Sequence, residues 1–217
     1  SNDGCLARYW SVPTMMRRLR AALGLLALVV AGFAFSAVPA YAACDKETGQ
    51  FGVSRIVEID TTHGPIFGAM TKQAREPSFL KPKEVVLTFD DGPMPWITKS
   101  ILATLDKYCA RATFFSVGRM ALAYPATVKD IVARGHTLGT HTYSHPFNMP
   151  RMKPDAAATE IERGIAAVST AAGVTVAPFF RFTGLSDNSH LLGYLQTRGI
   201  ATFTVDRMAY SPSPPIV

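Results

Sequence analysis

Glu84-Val85-Val86-Leu87-Thr88-Phe89-Asp90-Asp91-Gly92-Pro93 is the stretch on which the reading of this chain turns. Val85, Val86, Leu87 and Phe89 give it the apolar, β-branched and aromatic make-up of a strand buried on both faces. Asp90-Asp91-Gly92-Pro93 then closes it as a turn. Thr98–Tyr108 follows, with Ile101, Leu102, Leu105 and Tyr108 on one stripe at three- and four-residue spacing, which predicts a helix. A strand that leads directly into a helix is the first part of a βαβ unit, and such units build parallel sheets.

Outward from this stretch the pattern repeats. Ala112–Val117 predicts a strand and Ala121–Ala133 a helix, closed by Arg134-Gly135. Thr137–Thr140 predicts a short strand, Asp155–Ala172 a long helix and Val176–Phe182 a strand. Asn188–Thr197 predicts a helix that stops at Arg198-Gly199, and Ile200–Val205 a last strand. The class is therefore α/β with a parallel sheet. Five units are visible from 84 to 206, whereas a closed barrel of this kind takes seven or eight. The expectation is a distorted (β/α) barrel over 84–206 that lacks its C-terminal units, through truncation or a frameshift near 206. Residues 207–217 carry three prolines and no period, an irregular tail. Upstream, 43–83 is rich in Gly, Pro and Thr and reads as an arm with one strand, the alternating run Ser54–Ile59.

The length of 217 residues suits one domain. Hydrophobic residues make up 48% and charged residues 18%, which excludes a disordered or collagen-like chain. The net charge of +6 invites a nucleic-acid reading until its location is considered. Met15-Met16-Arg17-Arg18-Leu19-Arg20, the apolar run Ala21–Phe35 and the small-x-small site Ala40-Tyr41-Ala42 form a secretory signal over 15–42, with 1–14 an upstream remnant. Beyond residue 42 there remain 18 Lys+Arg against 15 Asp+Glu, and no nucleic-acid partner is expected. The predicted destination is the periplasm or the medium, with membrane contact only through the signal during export. An uncleaved anchor, or a lipoprotein through Cys44, is the alternative. Of the three cysteines, Cys44 and Cys109 follow the cleavage site. They leave two readings open, a Cys44–Cys109 bridge and the preferred free, buried Cys109. No Cys-x-x-Cys occurs, so cysteine-based zinc sites and thioredoxin-like redox chemistry are out. Oligomeric state leaves no trace in the sequence.

In parallel α/β folds polar groups converge at the carboxyl ends of strands. Asp90 and Asp91 end the first predicted strand here, His141 and His145 follow the third, Arg181 ends the fourth and Asp206 the fifth. Two histidines four residues apart on a helical turn face one side. With one carboxylate of the Asp90-Asp91 pair they make a His₂-carboxylate set with open positions, a common catalytic-metal arrangement. The neighbouring carboxylate is then available as general base. No Gly-x-Ser-x-Gly elbow is present, which disfavours a serine esterase.

Thr88-Phe89-Asp90-Asp91-Gly92-Pro93 together with His141-Thr142-Tyr143-Ser144-His145 resembles the polysaccharide deacetylases, the NodB-homology or chitooligosaccharide deacetylase family of carbohydrate esterases. Phe179-Phe180-Arg181-Phe182-Thr183-Gly184 looks like a third motif, with Thr183 where proline is usual. The resemblance covers about 84–206. It implies a barrel of the polysaccharide deacetylase type and a divalent metal, zinc first and cobalt or manganese next. The implied reaction removes N-acetyl groups from a glycan such as chitooligosaccharide or peptidoglycan. By the same resemblance Asp91, His141 and His145 bind the metal, Asp90 is the general base, and Arg181 holds Asp90 as a carboxylate. Gly184 N–H stabilises the oxyanion, Tyr143 lies at the substrate, and Asp206 is the fourth-motif candidate. The family's fifth motif, a strand ending in Leu-x-His or Leu-His-Asp that carries the general acid, has no match after 206. An impaired or inactive homologue that only binds metal and glycan is therefore the alternative expectation. His63, His136 and His190 read as structural or surface residues.

Overall fold

A computed structural model describes residues 52–208. The upstream stretch, the signal, Cys44 and all but two residues of the Pro/Ser tail lie outside the described residues. Six strands form one sheet: β1 (Ile66–Phe67), β2 (Leu87–Phe89), β3 (Ala112–Ser116), β4 (Thr137–Thr140), β5 (Phe179–Phe180) and β6 (Ala201–Phe203). Their order is β1-β6-β5-β4-β3-β2, and every pairing is parallel. The result is a curled half-barrel with β1 and β2 at its two edges.

The connections are helices, as parallel pairing requires: α1 (Pro95–Lys107), α2 (Gly118–Ala123), α3 (Pro125–Ala133), α4 (Pro154–Ala172) and α5 (Ser189–Thr197). Leu102 and Leu105 of α1, Val128 and Ile131 of α3 and Val168 of α4 pack with Phe114 and Leu138 into one core cluster. Ala157 and Ile161, earlier on α4, join Leu192, Leu195, Phe180 and Ile200 in a second. The 19 residues of α4 thus brace both halves of the sheet. Period-two alternation turns the next residues to the other face. There Phe115, Phe179 and Phe203 meet at ring separations of 4.8–6.0 Å, and Phe67 stacks on Phe203 at 5.2 Å.

Four expectations change. Ser54–Ile59 is not a strand, because the free side of β6 is occupied by Ile66–Phe67. Arg55 of that run instead donates to Glu84 at 2.9 and 2.7 Å and holds the Glu84 carboxyl down at about 2. The helix expected over 121–133 is two helices that start at Gly118 and break at Tyr124 (φ −131°, ψ 57°), since Pro125 has no N–H for a continuing ladder. β2 is not a buried strand. Among the described residues it is bonded on one side only, and Val85, Val86 and Leu87 are 79%, 48% and 44% exposed. Cys109 is disulfide-bonded rather than free, its partner lying outside the described residues. No helix among the described residues is long and apolar enough to cross a membrane.

Candidate metal centre

The site forms where β2 and β4 end. Ser116 O accepts from His141 N–H at 2.9 Å, which extends the β3–β4 ladder one residue past Thr140 and buries His141 at 2% exposure. The Nδ1 of His141 lies 2.7 Å from the Arg181 carbonyl oxygen. A carbonyl only accepts, so Nδ1 carries the proton and Nε2 faces the site. His145 returns to the same point through two left-handed residues, Thr142 (φ 66°) and His145 itself (φ 63°), not through the helical turn that the spacing suggested.

Asp91 leaves β2 with φ 69°. Its Oδ1 stands 3.4 Å from His141 Nε2 and 2.9 Å from His145 Nε2, and the three donor atoms all lie within 4.8 Å of one another. A non-glycine residue in the left-handed region costs roughly 1 kcal/mol or more. Three of the six such residues described are Asp91, Thr142 and His145, so the backbone carries its strain where the donors converge. Hydrogen bonding from His141, opposed by burial and aided by the charges of both imidazoles, holds the Asp91 carboxyl below the ordinary carboxylate range. When His141 is neutral its Nε2 lone pair faces a carboxylate oxygen instead, a contact that a cation relieves. The donor set, two imidazole nitrogens and one carboxylate oxygen, therefore fits a divalent metal.

Asp90 sits beside this set, its side chain 29% exposed and held by a buried arginine. Arg181 is 2% exposed and lies 4.2 Å over the Phe115 ring. Its Nη1 donates to Asp90 Oδ1 at 2.7 Å and to Thr88 Oγ1 at 2.8 Å, and its Nε and Nη2 reach the Phe203 and Thr204 carbonyls at 3.1 Å. Burial pulls the guanidinium pKa down and Asp90 opposes that shift. Arginine stays charged under either influence.

Of the predicted site residues, the structure brings together Asp90, Asp91, His141, His145 and Arg181. Gly184 lies one ring away: it has φ 59° in the turn Thr183–Leu185, and a Cβ there would meet Phe147 Cδ1 at 3.7 Å. Tyr143 is not drawn in. Its ring lies under Arg163 of α4 at 3.8 Å and abuts Gly118 of α2, a packing position between two helices. Asp206 is exposed, and Arg181 reaches β6 and the residue beyond it through main-chain carbonyls instead.

Two residues escaped the sequence reading. Phe147, 75% exposed, packs edge-on against His145 at 4.9 Å and helps line a cleft of about 620 Å³ with Met70, Lys72, Arg151 and Asp187. Glu160 of α4 accepts from the loop that carries both histidines. Its sole sequence signal was a place beside the buried Ala157–Ile161–Gly164 stripe.

A sequence profile of the polysaccharide deacetylases matches residues 79–203. The peptidoglycan-N-acetylglucosamine deacetylase of Bacillus cereus is 47% identical over 72 residues, which are 33% of this chain and 26% of that protein. The chitooligosaccharide deacetylase of Azorhizobium caulinodans is 42% identical over 62 residues, 29% of this chain and 30% of its own length. Among solved structures, a family 4 carbohydrate esterase from Streptomyces lividans in complex with acetate superposes with a TM-score of 0.51 at 32% identity, over 56% of this chain and 61% of that one. The matches to the two curated relatives cover less than a third of their lengths. Because the matched span is more than half of the chain and carries the Asp90-Asp91 turn, the His141–His145 loop and Arg181, the chain belongs to the polysaccharide deacetylase family.

Proposed function

We propose that residues 84–206 form the catalytic part of an exported, metal-dependent enzyme that hydrolyses N-acetyl groups on a glycan of the chitooligosaccharide or peptidoglycan kind. The observation that carries this reading is the convergence of Asp91, His141 and His145 within 4.8 Å. Asp90, its side chain 29% exposed, lies beside them on the buried guanidinium of Arg181. Asp91 Oδ1 and the two Nε2 atoms would hold a divalent ion, zinc foremost, with cobalt and manganese as alternatives. Bound there, such an ion supplies Lewis acidity.

The protein's own groups account for the rest. Asp90 takes the proton of the attacking water. Arg181, fixed by Thr88, Phe203 and Thr204, keeps that carboxylate turned to the site. Gly184 N–H is the donor assigned to the charge that develops on the carbonyl oxygen. The water oxygen bonds to the acetyl carbon, the C–N bond breaks, the amine takes up a proton, and acetate leaves. Phe147 offers a sugar ring an apolar face at the mouth of the adjoining cleft. The disulfide at Cys109 suits an oxidising compartment and supports export through 15–42.

One observation favours a second reading, a homologue that holds metal and glycan without turnover. Among the described residues no histidine beyond the two donors stands at the site: His63 precedes β1 at the opposite end of the sheet, His136 is buried against Phe114, and His190 is exposed on α5. Acetate release from chitooligosaccharide and from peptidoglycan, with Asp90→Asn as control, separates the two. Release by the wild type that Asp90→Asn lowers at least 100-fold supports the enzyme. Glycan binding without release supports the second reading, and release that Asp90→Asn leaves intact contradicts the assigned base.

A further inference from the structure

The loop between the two histidines makes few hydrogen bonds to itself. From one side the N-terminus of α2 holds its carbonyls: Gly118 N–H donates to Thr142 O at 2.9 Å and Arg119 N–H to Tyr143 O at 3.0 Å. From the other side a single carboxylate holds its donors. Glu160 Oε2 accepts from Tyr143 N–H at 3.2 Å and Ser144 N–H at 2.8 Å, and Glu160 Oε1 accepts from the Ser144 hydroxyl at 2.9 Å. Gly164, one helical turn further along α4, allows this approach, since a Cβ there would lie 2.7 Å from the Thr142 carbonyl carbon. Within the loop, Thr142 Oγ1 accepts from His145 N–H at 3.0 Å.

We propose that Glu160 is a positioning residue of the metal centre. Its carboxylate holds Tyr143 and Ser144 so that Thr142 and His145 keep left-handed conformations and both Nε2 atoms point at Asp91. This inference rests on the metal reading above. The logic is that of an outer partner that orients ligands it does not touch, here through two consecutive amides. A charged acceptor suits the role because an N–H bonded to a carboxylate is held more firmly than one bonded to a neutral oxygen. Without it, β-branched Thr142 at φ 66° has every steric reason to relax toward the ordinary negative-φ regions.

The test uses Co²⁺ as probe, with affinity from titration and coordination geometry from the visible absorption bands. Glu160→Ala is expected to weaken Co²⁺ binding by about 10- to 100-fold and to shift the bands, while far-UV circular dichroism stays that of the wild type. Glu160→Gln keeps the shape and one acceptor oxygen for the two amides, and its NH₂ donates to the Ser144 hydroxyl, so it restores most of the affinity and the wild-type bands. Wild-type affinity and bands in Glu160→Ala overturn this inference alone. A loss that glutamine does not restore, or one that follows unfolding, also overturns it. A wild-type chain that takes no Co²⁺ overturns the metal reading and this inference with it.

Discussion

The loop after β4 and the turn after β2 deliver donors to one point from very different foundations. β4 is an interior strand with β3 on one side and β5 on the other, and His141 at its end is buried, with α2 and α4 packed behind the loop. β2 is an edge strand bonded to β3 alone, and the Asp91 side chain is 71% exposed. Between them Asp90 draws on both foundations, since it leaves the edge strand yet is tied by Arg181 to β5 and β6. Among the described residues the histidine pair thus follows a strand paired on both sides, while the carboxylate follows a strand paired on one. Parallel sheets normally have both faces covered, and their edges are guarded.

The largest break of this contrast is expected at Arg181. Arg181→Ala leaves Asp90, Thr88 and two carbonyls without their donor and is expected to cost about 3–4 kcal/mol in urea unfolding, mostly through the buried acceptors, since Asp90 itself can turn to water. Asp91→Asn, on the exposed side, is expected to stay within about 0.5 kcal/mol in metal-free protein. Equal costs for the two would remove the contrast.

Next comes His136, just before β4. It is 6% exposed and accepts from Ala112 N–H at 3.2 Å. Burial, aided by the charge of Arg111, pushes its pKa down to about 4. The unfolded chain takes up this proton near pH 6.5, so the contribution to stability is complete above that pH. It is lost as the pH falls toward 4, by about 3 kcal/mol. Stepwise denaturation from pH 7 to 4 is expected to show this decline, and His136→Gln a shallower one. Parallel curves for the two proteins would contradict it.

Smaller effects are expected at the back of the loop. Gly164→Ala drives a Cβ into the Thr142 backbone and is expected to cost about 1–3 kcal/mol. Gly193→Ala, with open space around it in α5, is expected to gain up to about 1 kcal/mol in the same measurement. The smallest is at the edge: Val85→Lys is expected to change stability by less than about 0.5 kcal/mol while lowering aggregation in light scattering.

Much of this was legible in the residues, for identifiable reasons. α4, α5 and β4 stand within a residue of their predicted bounds because a long apolar stripe, a Gly stop and a strand between two helices are local signals. The exposure of Val85–Leu87 was not legible, because a covered strand and an edge strand share one composition and only the sheet order separates them. β1 is two residues long and shows no period, so the alternating run upstream of it was the stronger lure. At the site, strand-end logic placed Asp90, Asp91, His141, His145 and Arg181 together. The direction of Tyr143 and the part of Glu160 depend on how α2 and α4 clasp the loop, a tertiary fact with no short-range trace.

The central claim is that Asp91, His141 and His145 hold one divalent ion. Its most direct test is the zinc content of the purified chain after dialysis, read by mass spectrometry for the wild type, Asp91→Asn and the His141→Ala/His145→Ala double variant. The account predicts one zinc per wild-type chain, a weakened but measurable site in Asp91→Asn, and none in the double variant with its circular dichroism unchanged. Full zinc occupancy in the double variant would contradict it.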